Sequence, residues 1–140
     1  MLLLDLLRED LGITSVRAGC ETSSCGACTV ILDGRAVKSC TRLAVQADGS
    51  SVLTVEGLRD GDSPDPIAEA ILDHAAVGCG FCVPGTIVAA TDLLRESPEP
   101  SRDDIVRGLE GVLCRCTGYR RRIEAIASAA RALRGEAGVG

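Results

Sequence analysis

GCETSSCGACTV, residues 19–30, is the stretch on which the reading of this chain turns. Up to Cys28 it has neither a helical nor a strand period, and its content of Gly, Ser and Cys marks a loop. Three thiols, Cys20, Cys25 and Cys28, crowd onto that loop. Directly after it, Thr29-Val30-Ile31-Leu32 and Arg35-Ala36-Val37-Lys38 flank Asp33-Gly34, which predicts a β-hairpin. A two-residue turn sets Ser39 opposite Cys28 and a three-residue turn sets Cys40 there, so in either case Cys40 returns to the loop. Gly19, Gly26 and the small Ala27 let backbone N–H groups come close to whatever the thiolates hold.

Working outward, Leu4, Leu7 and Leu11, flanked by Leu3 and Leu6, repeat at helical spacing before Gly12, which predicts a short amphipathic helix. Val52-Leu53-Thr54-Val55 is a third strand candidate. Residues 57–66 are rich in Asp, Pro and Gly and read as a linker between units at 1–58 and 64–140. Beyond it the pattern is helical. Ile67, Ala70, Ile71 and Ala75 mark one helix; Ile87, Val88 and Leu94 mark a second, with Pro84 in its first turn. Ser101 caps a third carrying Ile105, Val106, Leu109 and Val112, and Ile123, Ile126, Ala130 and Leu133 stripe a fourth.

The chain has eight cysteines, four in each half. In the first half, three thiols on one loop with a distant fourth at Cys40 follow the C-x4-C-x2-C…C spacing of plant-type 2Fe-2S ferredoxins, whereas structural zinc favours paired knuckles. In the second half Cys79-x2-Cys82 is completed by Cys114-Arg115-Cys116. Residues two apart diverge around a helix, so both members of that C-x-C pair face one site only if the helix stops at about Leu113. Thr117-Gly118 is consistent with such a break, and Gly78, Gly80 and Gly85 loosen the CxxC side. Spacing alone leaves zinc and iron-sulfur both open here. A Rieske centre is excluded, because it needs two His ligands and His74 is the single histidine.

Composition narrows the rest. With 46% apolar and 25% charged residues the chain is globular, and with Phe81 and Tyr119 as its aromatics the core must be thin and aliphatic. A net charge of -5 offers no surface for nucleic acid. Asp5, Arg8, Glu9 and Asp10 interrupt the apolar start, so neither a secretion signal nor a membrane insertion is expected. A cytoplasmic location follows, and in reducing cytosol eight thiols point to metal rather than disulfides.

Five segments in order, LLDLLREDLGI (3–13), GCETSSCGACTV (19–30), DGRAVKSC (33–40), CGFCVPG (79–85) and CRCTGY (114–119), resemble the two-cluster iron-sulfur small subunit of the xanthine-oxidase family of molybdenum hydroxylases. The stretch DGRAVKSCTRLAVQADG is most similar to the carbon-monoxide-dehydrogenase type. The resemblance implies an α+β fold: an N-terminal β-grasp ferredoxin-like domain and a C-terminal four-helix-bundle 2Fe-2S domain. It implies two 2Fe-2S clusters, one on Cys20, Cys25, Cys28 and Cys40 and one on Cys79, Cys82, Cys114 and Cys116. Electrons would pass from molybdopterin on a large subunit through the bundle cluster, then the ferredoxin-like cluster, to FAD on a medium subunit. The chain itself would carry no substrate chemistry and no catalytic residue.

The family places a β-hairpin ahead of the LLDLLRE helix, at which this sequence starts, so a small sheet with an edge strand is expected. Gly78 stands where the family commonly has a Gln that contacts the pterin, and that contact is not carried over. Val83 and Val112 stand where Thr and Asn are frequent. Gly19, Gly26, Gly80 and Arg115 are the candidate cluster contacts outside the cysteines. His74 reads as packing or surface, Tyr119 as a packing anchor, and Arg120-Arg121-Arg122 as a solvated run or a contact to an acidic partner. Two other functions fit the residues: a free-standing ferredoxin-like carrier, and a structural metal module without redox traffic.

Overall fold

The computed structural model describes residues 1–135; residues 136–140, the end of the expected second unit, lie outside the described residues. Helix α1 (Leu3–Asp5) runs on into a π-helical turn over Leu6–Asp10, closed by the Leu11 amide on the Leu6 carbonyl at 3.0 Å. The wider turn corrects the expected stripe. Each i→i+5 bond rotates later residues off the helical period. Leu3, Leu4 and Leu7 are therefore buried while Leu11 is 60% exposed. Gly12, at φ +68°, ends the element as expected.

Strands β1 (Thr29–Leu32), β2 (Arg35–Lys38) and β3 (Val52–Leu53) form a small antiparallel sheet in the order β2-β1-β3. The register Thr29↔Lys38 through Leu32↔Arg35 makes Asp33-Gly34 a two-residue turn, with positive φ at both residues as that hairpin requires. Cys28 therefore faces Ser39, whose amide and hydroxyl both donate to the Cys28 carbonyl, at 3.2 and 2.8 Å. The strand expected over Val52–Val55 stops at Leu53. The Thr54 hydroxyl donates to the Glu56 carboxylate at 2.6 Å and the Gly57 amide closes on the Thr54 carbonyl, curling Val55–Leu58 into a 3-10 turn.

Four helices follow: α2 (Pro66–Asp73), α3 (Val83–Glu96), α4 (Arg102–Leu109) and α5 (Arg120–Leu133). Asp65 caps α2 by accepting from the amides of Ile67 and Ala68, with Pro66 in the first turn. Ser101 and Asp104 form a reciprocal capping box on α4. Two stripes end earlier than expected: Ala75 lies beyond α2 at φ +50°, and Val112 lies beyond α4 although it is buried. Val106 and Leu133, expected on inner stripes, are exposed.

Two apolar clusters result. The first joins Leu3, Leu4, Leu7, Val16, Cys28 and Val30. The second is built from Ile67, Ile71, Ile87, Leu94, Ile105 and Ile126 with many alanines, and Val55 and Leu58 already pack against it. Helix α3 ties the two together. It lies on β1, its Asp92 accepts from the Ala36 amide at 3.2 Å, and Arg35 pairs with Asp92 and Glu96 at 3.7 and 2.9 Å. Among the described residues, no helix is long and apolar enough to cross a membrane.

Candidate metal centres

The first cysteine set surrounds the 19–28 loop. The Cys20 sulfur accepts from the amides of Ser24 and Cys25 at 3.3 and 3.4 Å, and the Cys25 sulfur from the Ala27 amide at 3.5 Å. These N–H groups favour thiolate: the amide of Cys25, then those of Thr22 and Ser24, lower the Cys20 thiol to about 6. Cys28 is buried, which pushes its thiol up, and Cys40 lies beside it. Ser23, at φ +62°, brings its hydroxyl within 3.9 Å of the Cys40 sulfur, while Lys38 Nζ pins the Ser23 carbonyl at 2.7 Å. The hairpin thus returns Cys40 to the loop.

The second set lines a cavity of about 300 Å³ with Cys79, Cys82, Cys114 and Cys116, and the same cavity is lined by Cys25, Gly19, Phe81 and Arg115. Cys82 opens α3; Cys114 and Cys116 follow the end of α4, which stops short of Leu113 as the C-x-C pair needs. The sulfurs of Cys79 and Cys116 neighbour each other, as do those of Cys82 and Cys114. Burial pushes the Cys114 thiol up, but the amides of Thr117 and Cys116 outweigh it and bring it down to about 6. For Cys82 burial wins, and the thiol is raised against the opposing pull of Arg122.

The two sets are docked to each other. The Leu113 amide donates to the Cys25 carbonyl at 2.8 Å. Gly26, at φ +73°, lies so close to Gly111 that a Cβ would overlap the Gly111 carbonyl oxygen. The space a side chain at Gly26 would need is taken by the helical half, so this glycine also seats the loop on that half. Gly19 does face the sulfur, since a Cβ there would come within 2.9 Å of both Cys25 Sγ and Phe81 Cε1. Gly80 has open space and φ +83°, so it serves the turn. A Cβ on Gly78 would overlap that of Cys116.

Arg115 lines the cavity and is exposed. His74 Nδ1 lies 2.9 Å from the Ala70 carbonyl at the end of α2. Tyr119 is more than packing, because its hydroxyl accepts from the Cys114 amide at 3.2 Å. The arginine run divides: Arg120 pairs with Glu124 at 3.1 Å, Arg121 donates to the Ala75 carbonyl, and Arg122 is buried. The solvated reading fails for Arg122. Its spacing from the buried Ala125, Ile126 and Ala129 was the available signal, since all four share one helix face.

Among the described residues, no three Cys, His, Asp or Glu side chains are placed to hold one metal ion. The donor chemistry nevertheless fits iron-sulfur clusters: two thiol quartets, amide N–H groups aimed at sulfur, and glycine backbone against cysteine side chains.

Comparison with known proteins agrees. Residues 1–60 match the 2Fe-2S iron-sulfur cluster binding domain and residues 54–127 match the 2Fe-2S binding domain. The nicotine 6-hydroxylase small subunit of Paenarthrobacter nicotinovorans is 47% identical over 127 residues, spanning 91% of this chain and 76% of that protein. The nicotinate dehydrogenase small FeS subunit of Eubacterium barkeri is 49% identical over 117 residues, spanning 84% and 74%. The structure of quinoline 2-oxidoreductase from Pseudomonas putida 86 superposes with a TM-score of 0.90 at 45% identity, covering 97% of this chain and 86% of that one. With both 2Fe-2S domains matched in order and small subunits as relatives over most of their length, the chain belongs to the iron-sulfur small-subunit family of the molybdenum hydroxylases.

Proposed function

We propose that this chain is the electron-transfer subunit of a cytoplasmic molybdenum hydroxylase, set between a molybdopterin-binding large subunit and an FAD-binding medium subunit. Cys20, Cys25, Cys28 and Cys40 hold one 2Fe-2S cluster in a unit spanning 1–58. Cys79, Cys82, Cys114 and Cys116 hold the other in a unit spanning 64–140. Each cluster, when bound, accepts and releases single electrons. The chain's own residues fix the distance between the two centres, direct amides at the ligand sulfurs and shelter Cys28. Gly19 and Gly80 shape the ligand loops, Gly26 seats one half on the other, and Arg115 lies at the rim of the second centre.

The observation that carries this reading is the docking of the two quartets, with Cys25 lining the same cavity as the second set. Adjoining centres suit electrons that pass from one to the other. The relatives are subunits of oxidoreductases, which leaves the free-standing carrier and the non-redox module without support.

The test is native purification followed by metal analysis and electron paramagnetic resonance. The expected result is two distinct 2Fe-2S signals on reduction, about four irons and about four acid-labile sulfides per chain, and co-purification with molybdenum and flavin. Stoichiometric zinc in colourless material overturns the reading.

A further inference from the structure

Arg122 is the bulkiest of the fully buried side chains, 1% exposed, on the inner face of α5. Its Nη2 donates to Thr86 Oγ1 at 2.7 Å and to the Val112 carbonyl at 3.2 Å, and its guanidinium lies 5.3 Å from the centre of the Tyr119 ring. Nε and Nη1 have no partner among the described residues, and none of the ion pairs there involves Arg122. A buried cation without a counter-ion is costly, and breaking or omitting its partner is among the most destabilising things a fold can do. An anion is therefore expected beside it.

The partners of Arg122 all lead to the second cysteine set. Thr86 Oγ1 donates to the Cys82 carbonyl at 2.9 Å. Val112 stands two residues before Cys114, and the Tyr119 hydroxyl holds the Cys114 amide. One guanidinium thus braces the Cys82 turn against the Cys114 turn, the two turns whose sulfurs adjoin.

We propose that Arg122 is the countercharge of the cluster held by Cys79, Cys82, Cys114 and Cys116, a positioning residue that joins the two ligand turns and raises that cluster's reduction potential. The inference rests on the electron-transfer reading above. Four thiolates and two sulfides outweigh the charge of the irons, so the centre is anionic and becomes more so on reduction. A fixed cation in a low-dielectric interior stabilises the reduced form more than the oxidised one.

The test is an EPR-monitored redox titration of the natively assembled complex carrying Arg122→Gln or Arg122→Lys, with the first cluster as internal reference. Arg122→Gln is expected to lower the equilibrium constant for reducing the second cluster at least tenfold, about 59 mV for a one-electron couple. Arg122→Lys, which keeps the charge, is expected to stay near the unmodified value, and the first cluster to be unmoved in both. Should Arg122→Gln lose the second signal while Arg122→Lys keeps it at the unmodified potential, the countercharge role stands. Unchanged potentials in Arg122→Gln, equal shifts in both variants, or loss of the signal in both overturn it. Absence of two 2Fe-2S signals in the unmodified complex sinks the electron-transfer reading itself, and this inference with it.

Discussion

The amide of Leu113 donates to the carbonyl of Cys25 at 2.8 Å, so Cys25 of the first cysteine set is one hydrogen bond and one peptide away from Cys114 of the second. That bond exists because Gly26 lets the loop lie flat against Gly111. Gly26→Ala places a Cβ on the Gly111 carbonyl at a positive φ, and overpacking of this kind costs about 1–3 kcal/mol. The expected outcome is a lower melting temperature together with weaker magnetic interaction between the two reduced centres. Unaltered splitting of the EPR signals in the Gly26→Ala protein would refute the docking role.

The assignment of ligands is separable by quartet. Cys28→Ser is expected to abolish one 2Fe-2S signal and leave the other, and Cys114→Ser to do the reverse, each reducing iron from about four to about two per chain. If either single change removed both signals with the protein still folded, the division into two quartets would be wrong.

Gly78 has a structural reason to lack a side chain, since its Cα faces Cys116. Gly78→Ala must push the Cys116 segment aside, at about 1–3 kcal/mol, and is expected to broaden or shift the second EPR signal only. An identical spectrum with an unchanged melting temperature would show that the Cys116 turn yields freely.

The pairing of β1 with β3 is anchored at Asp33. Its carboxylate accepts from the Ser51 amide at 2.9 Å, and that bond holds its pKa below the ordinary carboxylate value. The sign follows from linkage: with the folded pKa depressed, the contribution to stability is present above the unfolded pKa and is lost as pH falls through the folded one. The melting-temperature gap between unmodified protein and Asp33→Asn is therefore expected to be widest near neutrality and to close in acid. A gap independent of pH would assign the stabilisation to something other than the charge.

Much of this could be read from residue order because the signals are local. The C-x4-C-x2-C loop, the Asp33-Gly34 turn and the Ser101 cap each act within a few residues, and the structure keeps all three. What escaped depends on partners distant in sequence or on turn geometry without a composition cue. The π turn that expels Leu11 has no marker among leucines that suit either period. Thr54 leaves the strand because of a side-chain bond to Glu56, which competes with the ladder. Arg122 looked like one of three equal arginines, and its burial follows from Thr86 and Val112, residues brought to it by the fold. The contact of Gly26 with Gly111, across the junction, has no signal in the sequence around either residue.

Helix α3 begins at Cys82 of the second cysteine set and ends clasped to β2 by Asp92 and Glu96. The halves consequently resist dissection. A fragment cut in the 57–66 segment strips β1 of its cover and leaves Ile31 and the inner side of α3 wet, so neither piece is a minimal ferredoxin and both are prone to clump. Recombination that imported one half from a distant relative would have to bring a matching Gly26–Gly111 contact with it.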